Sequence, residues 1–330
     1  MRVLVTGGAG FIGSHFVKRL VAGGDDVVVL DRLTYSGNRA NLDGVEHTFV
    51  HGDIADPDAV ATAGEGCDAV VNFAAETHVD RSILAAGDFI RTDVLGTHVI
   101  LDWARHTGVR CVQVSTDEVY GDIEPGVFAR EDTPPRPSSP YAASKAAGDL
   151  QVLAYVRTYA LDACITRGSN TYGPNQYPEK LIPLFVTNAL DGEPLPLYGD
   201  GRQTRDWLHV EDHCAAIDVV LREGGAGEVY NVGAGAEREN IDVARRIVEL
   251  TGADPDLLQH VSDRPGHDRR YALDSSRLAA LGWTPQRKFD EALADTVAWY
   301  RKNRAWWEPI KRSGGYREYY ERQYAARLAG

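Results

Sequence analysis

No CxxC pair occurs in this 330-residue sequence. Its four cysteines, Cys67, Cys111, Cys164 and Cys214, stand 44, 53 and 50 residues apart, with no histidine nearby at zinc-ligand spacing. Neither a structural metal nor a disulfide framework is therefore expected. No apolar run approaches the ~18 residues of a membrane span. Met1 leads straight into the strand-like Arg2-Val3-Leu4-Val5, with no basic and then apolar leader region. The expectation is a soluble, cytoplasmic protein with no membrane partner. Positive charge is also short: 35 Lys and Arg against 48 Asp and Glu leave −13, and no basic stripe is segregated from the rest, so no nucleic-acid partner is expected. Only six of the basic residues are lysine, from which no function follows. Internal repeats and low-complexity segments are absent as well.

What is present reads as globular, with 43% hydrophobic and 25% charged residues. The length suits two domains or one large α/β unit. Short β-branched runs at Val3 to Val5, Val27 to Leu30, Thr48 to Val50, Ala69 to Phe73, Cys111 to Val114 and Ala163 to Thr166 alternate with helical patterns. Each is brief, apolar and bounded by turn or charged residues, as expected of strands covered on both faces by crossover helices. This predicts an α/β fold, a doubly wound parallel (Rossmann) sheet. After about residue 168 the spacing loosens, with helices expected near 180–190, 211–222 and 240–251 and no linker between two continuous domains. The second half is therefore expected to be partly interleaved. Residues 1–168 plus about 205–235 would form the dinucleotide-binding part, and about 169–204 plus 236–330 a smaller C-terminal substrate-binding lobe. The aromatic-rich last forty residues read as a packed helical edge.

Gly7, Gly10 and Gly13 follow the first strand with G-x-x-G-x-x-G spacing and enclose Phe11 and Ile12 at the start of the first helix. Missing side chains there allow a tight turn and close backbone approach to a pyrophosphate seated on the helix N-terminus. Asp31 ends the second strand 18 residues after Gly13, where a carboxylate accepts ribose hydroxyls and repels a 2′-phosphate, which points to NAD. Arg32 beside it is the counter-argument, since it could accept that phosphate. Asp53 and Ile54, just after the third strand, read either as a cap on the adenine edge or as an ordinary turn.

Tyr141 and Lys145 share one helical face at i and i+4, a spacing that chance supplies roughly 0.3 times given 15 Tyr and six Lys. Their location says more: the pair opens the helix after Pro140, beyond a strand that ends in Ser115-Thr116-Asp117-Glu118, at the carboxyl edge where open α/β sheets bind ligands. The ammonium and a bound nicotinamide ring would lower the phenol pKa and make Tyr141 a usable base. Asp117 and Glu118 read on their own as a solvated turn. Beside a redox site they become a proton donor and a proton acceptor.

From the N-terminus to about residue 320 the chain resembles the extended short-chain dehydrogenase/reductase family and, within it, the dTDP-glucose 4,6-dehydratases. The motifs are TGGAGFIGSH at 6–15, DRLTYSGN at 31–38, HGDI at 51–54, FAAETHVDRSI at 73–83, STDEVYG at 115–121, YAASK at 141–145 and YGPNQYPEKLIP at 172–183. Thr116-Asp117-Glu118 is the discriminating segment, since related sugar-nucleotide epimerases carry small hydroxyl residues there. The resemblance implies NAD as cofactor, dTDP-glucose as substrate, oxidation at carbon 4, loss of water across carbons 5 and 6, and reduction at carbon 6. It implies Tyr141 as base at the 4-hydroxyl, Lys145 as its electrostatic and ribose-binding partner, and Thr116 as a donor to that hydroxyl. Asp117 would be the acid at the 6-hydroxyl and Glu118 the base at carbon 5. Asn170, Lys180, Pro196, Tyr198, Arg205, Asn240, Arg264 and His267 would hold the nucleotide and diphosphate. Two positions depart from the pattern: Asp93 stands where Asn is usual, placing a negative charge near the cofactor side, and Thr171 follows Asn170 where a second Asn is common. A homodimer is implied too, through helices near 82–106 and 140–158, with Ile90, Val94 and Leu101 at roughly helical spacing. The rival readings are a nucleotide-sugar 4-epimerase and a catalytically silent NAD-sensing regulator on the same fold.

Overall fold

The computed structural model describes residues 1–328. Seven strands form one parallel sheet: β1 (Arg2–Thr6), β2 (Asp26–Asp31), β3 (Thr48–His51), β4 (Ala69–Asn72), β5 (Arg110–Thr116), β6 (Ala163–Gly168) and, after three strands elsewhere, β10 (Val229–Val232). Their order is β10-β6-β5-β4-β1-β2-β3. All six pairings are parallel, with Val5 of β1 lying between Val29 of β2 and Val71 of β4. Successive side chains of a strand point to opposite faces, so each strand feeds two cores. Val3, Val5, Val27, Val29, Val71, Val112 and Val114 pack on one side with the helices Phe11–Ala22 and Val210–Glu223. Leu4, Val28, Leu30, Val70, Cys111 and Ile165 pack on the other with Thr97–Thr107 and Pro140–Tyr159. The order reverses at β1, with β2 on one side and β4 on the other, and that switch point opens the crevice in which such sheets hold ligands.

The remaining strands make two small sheets. The pair β7 (Asn170–Tyr172) and β9 (Thr204–His209) is extended by β11 (Glu237–Glu239), while β8 (Leu195–Tyr198) pairs with β12 (Leu258–Val261). Their lobe has its own core around Phe185, Leu197, Ile247, Leu293 and Trp307, built on the helices Leu181–Asp191, Asn240–Thr251 and Phe289–Lys302. The chain crosses between the two parts repeatedly: β10 enters the large sheet, and Leu278 and Trp283 later return to the first core. The four cysteines are buried free thiols. Among the described residues no helix is long and apolar enough to cross a membrane, and no cluster of His, Cys, Asp or Glu is arranged to hold a metal ion.

Candidate active site

A cleft of about 310 Å³ runs along the carboxyl ends of the strands, from the glycine turn and Asp31 to Thr116, Asp117, Glu118, Tyr141 and Lys145. Gly7 has φ +66° and lies so close to the chain after β4 that a Cβ would come 2.7 Å from the Ala74 nitrogen. A Cβ on Gly13 would sit 2.3 Å from the Gly7 carbonyl oxygen. The helix Phe11–Ala22 that follows has no side-chain cap and no acid in its first turn, which leaves its N–H groups for an anion. Asp31 is buried, which raises its pKa, and it accepts from the Leu33 and Ala9 amides at 2.7 and 2.9 Å. Each oxygen keeps a further lone pair for a ribose hydroxyl. These residues fit a nicotinamide dinucleotide. Arg32 is engaged elsewhere, donating to Asp53 at 3.0 Å and lying 3.6 Å from Glu76. A 2′-phosphate would have to compete with two carboxylates for it. Asp53 also receives Arg91 at 3.2 Å and the Ala55 amide at 2.9 Å, so its carboxylate is a junction of side chains at the cleft wall, with Ile54 buried beside it.

At the other end, β5 closes in a turn that Thr116 caps by accepting from the Glu118 amide. Gly121 ends the turn at φ +71°, where a Cβ would meet the Arg136 carbonyl at 2.2 Å. The helix Pro140–Tyr159 starts on Ser139, which accepts from the Ala142 amide, and so carries Tyr141 and Lys145 on its first two turns. Burial pushes the Asp117 carboxyl well above its usual range, and the charge of Glu118 pushes it further. Its Oδ2 is enclosed and unpartnered, while Oδ1 accepts from Thr116 at 3.2 Å. Burial raises Glu118 too, but Arg264, Lys180 and Arg205 all oppose the rise. Adjacent carboxyls thus differ, one pushed well up by burial and its neighbour's charge and the other with three cations opposing its rise. That division suits an acid and a base.

The protein's own groups hold the Tyr141 phenol high. Burial, then Glu118 and Asp93, raise its pKa well above the ordinary phenol value, and Thr116 opposes them. Lys145 does not reverse the shift: its ammonium donates to the Val114 carbonyl at 2.8 Å. Asp93, standing where Asn is usual, lies close enough to Tyr141 for its charge to add to that rise. It is buried against the catalytic helix, accepting from Ser144 at 2.6 Å, and burial lifts it to about 6 against the opposing pull of Lys145.

A carboxyl raised from 3.8 to about 6 on folding contributes stability that is fully present below pH 4 and is lost as pH rises through 6. Asp93→Asn has no such titration. Relative to wild type, the variant should gain up to about 3 kcal/mol between pH 4 and 7 and stay level above. Urea melts across that range check it, and a pH-independent difference would show that Asp93 is an ordinary carboxylate.

The candidate substrate residues fall in two groups. Asn170 and Lys180 line the cleft, Asn170 with an enclosed, unpartnered Oδ1 and Lys180 donating to the Thr77 carbonyl. Burial lowers the Lys180 pKa, which Glu179 and Glu118 partly restore. Tyr198, Arg264 and His267 stand beside that cleft with Arg205. Tyr198 donates to Asp80 at 2.8 Å, and Arg264 reaches the same carboxylate at 3.3 Å. Arg205 donates to the Asp268 carbonyl at 2.8 Å and covers the Tyr271 ring at 4.1 Å. His267 packs edge-on to Tyr198 and meets Asp263 Oδ1 through Nδ1 at 2.6 Å, while burial with Arg264 and Arg205 lowers its pKa. Pro196 lies in β8, and Asn240 opens its helix with a buried, unpartnered Oδ1. Thr171 bonds to His213 at 2.7 Å.

Asp80 is the member that sequence reasoning left unassigned, although it joins Tyr198, Arg264 and Gln323. Glu76 is another, lining the cleft with a pKa lifted to about 7 by burial. Both lie within FAAETHVDRSI, so the motif was the available signal.

Residues 4–296 match the family model described as GDP-mannose 4,6 dehydratase. A dTDP-glucose 4,6-dehydratase of Streptomyces niveus is 54% identical over 323 residues, covering 94% of this chain and 96% of the relative. Among solved structures, DesIV, a dTDP-glucose 4,6-dehydratase from Streptomyces venezuelae with NAD and TYD bound, is 55% identical. It matches with a TM-score of 0.92 over 94% of this chain and all of its own. A UDP-glucose 4-epimerase of Thermus thermophilus with NAD is 37% identical, with a TM-score of 0.86 over 91% of this chain and 99% of its own. Both chemistries share the fold, so the distinction rests on the site.

Proposed function

This chain belongs to the GDP-mannose 4,6 dehydratase family, and on that premise we infer that it is an NAD-dependent enzyme of deoxysugar biosynthesis that converts dTDP-glucose to dTDP-4-keto-6-deoxyglucose. The observation that carries this over an epimerase is the Asp117–Glu118 pair, an acid and a base on the same cleft as Tyr141.

NAD, held by the glycine turn and Asp31, would supply the two-electron acceptor for carbon 4 and the donor for carbon 6, with Glu118 returning its proton to carbon 5 as the pair arrives. Tyr141 takes the proton of the 4-hydroxyl, and Thr116 turns its hydroxyl from Asp117 to donate to that oxygen. Lys145, one turn along the same helix and fixed by the Val114 carbonyl, would hold the cofactor ribose. The ketone at carbon 4 acidifies the proton at carbon 5, which Glu118 removes while Arg264, Lys180 and Arg205 stabilise its charged form. Asp117, whose protonated form burial favours, gives its proton to the departing 6-hydroxyl as water. Gly7, Gly10, Phe11, Ile12, Gly13, Asp31, Asp53 and Ile54 form the cofactor side. Asn170, Lys180, Pro196, Tyr198, Arg205, Asn240, Arg264 and His267 form the sugar-nucleotide side. In this reading residues 1–168 with about 205–235 hold the cofactor, and the remainder holds the sugar nucleotide. Incubation with a panel of nucleotide-glucoses tests the assignment: dTDP-glucose should lose one water by mass, and a 4-epimer of unchanged mass would overturn it.

The protein acts as a homodimer in the cytoplasm, a compartment that suits four reduced, buried thiols. Its dimer face is supported by Ile83, Leu84, Ile90, Leu95 and Leu150, large apolar side chains exposed along the segment from residue 79 to 107 and the helix Pro140–Tyr159. Within the expected set Leu101 is corrected: it is fully buried in the monomer core, and Val94 is half-buried, so neither spacing nor hydrophobicity alone marks the face. Ile90 and Leu150 are 60% and 58% exposed. Changing both to Glu should leave the fold intact and give a monomer in sedimentation at micromolar concentration, where wild type should sediment as a dimer.

A further inference from the structure

One polar cluster beside the active site is not used by the chemistry above. Glu179, whose side chain is fully enclosed, accepts from the Tyr35 hydroxyl and from Arg81 Nε, both at 2.8 Å. The Arg81 guanidinium lies between two rings, 3.8 Å from the centroid of Tyr35 and 4.2 Å from that of Tyr319. Behind it, Tyr316 donates to the Pro178 carbonyl at 2.9 Å and packs on Tyr177. Four stretches of chain meet here that are far apart in sequence: the loop after β2, the segment after β4, the loop before Lys180, and the helix Gly314–Tyr320.

The placement of these stretches gives the cluster its meaning. Thr34, Ser36 and Gly37, which flank Tyr35 in the chain, line the cleft as one lip, and Tyr177, Glu179 and Lys180 line it as another. The Tyr35–Glu179 contact therefore joins the two lips. One lip continues from Asp31, at the ribose end, and the other leads into Lys180. We propose that Tyr35, Arg81 and Glu179 form a clasp across the cleft that retains NAD between turnovers, making them positioning residues for the cofactor. A buried ion pair adds little net stability compared with apolar side chains of the same shape, but it fixes one arrangement of the groups it joins. The inference rests on the NAD reading above. It also agrees with that reaction: the cofactor ends each cycle as it began, so its exchange with solvent is no part of turnover.

Two substitutions separate the clasp from a purely structural contact. Tyr35→Phe keeps the ring on Arg81 and removes the hydroxyl. Glu179→Gln keeps the shape and removes the charge. NAD-loaded protein is mixed with a trap of alcohol dehydrogenase and ethanol, which reduces any NAD released, and the rate of reduction is followed. Losing a charge-assisted hydrogen bond is a factor of about ten or more in an equilibrium constant. Release should quicken about tenfold in Tyr35→Phe, with kcat at saturating added NAD within about threefold of wild type, and about 10- to 100-fold in Glu179→Gln. Should Glu179→Gln fail to fold, Tyr35→Phe carries the test alone. Release at the wild-type rate, even with lowered melting temperatures, overturns the clasp and leaves the NAD reading standing. A fall in kcat at saturating NAD without faster release also overturns it and assigns Glu179 to the sugar. Wild-type protein that binds no NAD at all overturns both.

Discussion

Exchanging Tyr141 for phenylalanine should lower turnover by about 10²–10⁴-fold, the usual loss on removing a general base, with little change in sugar-nucleotide binding. The substitution removes a hydroxyl and almost no volume, and the ring keeps its edge-on contact with Phe89. The raised pKa of Tyr141 adds a second expectation. Burial and the charges of Glu118 and Asp93 all favour the neutral phenol, so Tyr141 is a poor base until positive charge arrives near it. Ultraviolet titration of the phenolate, wild type minus Tyr141→Phe, should place this group lower with NAD bound than without. Wild-type turnover in the variant would show that another group takes the proton, and a phenol indifferent to NAD would remove the electrostatic account.

The same residue marks how far a sequence carries such an argument. That Tyr141 and Lys145 share a helical face follows from a spacing of four, and the strands are legible because residues buried on both faces leave unbroken β-branched runs such as Val27 to Leu30. The helix expected near 240–251 forms at Asn240–Thr251, between a preceding strand and Gly252, which adopts φ +71°. Local patterns reach no further. The direction of the Tyr141 shift depends on how completely the fold encloses it and on Asp93, whose carboxyl is brought to that helix by Ser144, 51 residues away. Asp80 is one acid among many until the fold brings it to Tyr198 and Arg264, 118 and 184 residues along the chain. Leu101 has the spacing of a surface stripe, and only the packing of its helix against the sheet shows that it faces inward.

The acid pair gives the second large effect, because its two members act on different atoms. If Glu118 removes the carbon 5 proton, Glu118→Gln should oxidise carbon 4 and stop there. The near-ultraviolet band of reduced nicotinamide would build up without dehydrated product, and solvent deuterium would not enter carbon 5. A glutamine cannot accept the proton, and Arg264, Lys180 and Arg205, which oppose the protonation of Glu118, would lose the charge they face. Asp117→Asn should behave differently. Burial favours the neutral form of Asp117, so the amide resembles the form that acts as the acid and leaves Glu118 its cations. Water loss from carbon 6 should slow by about 10²–10⁴-fold for want of an acid, yet Glu118 would still exchange the carbon 5 proton of the ketone, and deuterium should enter there. In wild type, deuterium supplied at carbon 4 should reappear at carbon 6 of the product, since the pair taken from one carbon is given to the other. Loss of that label to solvent, or equal carbon 5 exchange in the two variants, would mean that the acid and base roles are wrongly divided even where the dehydration itself proceeds.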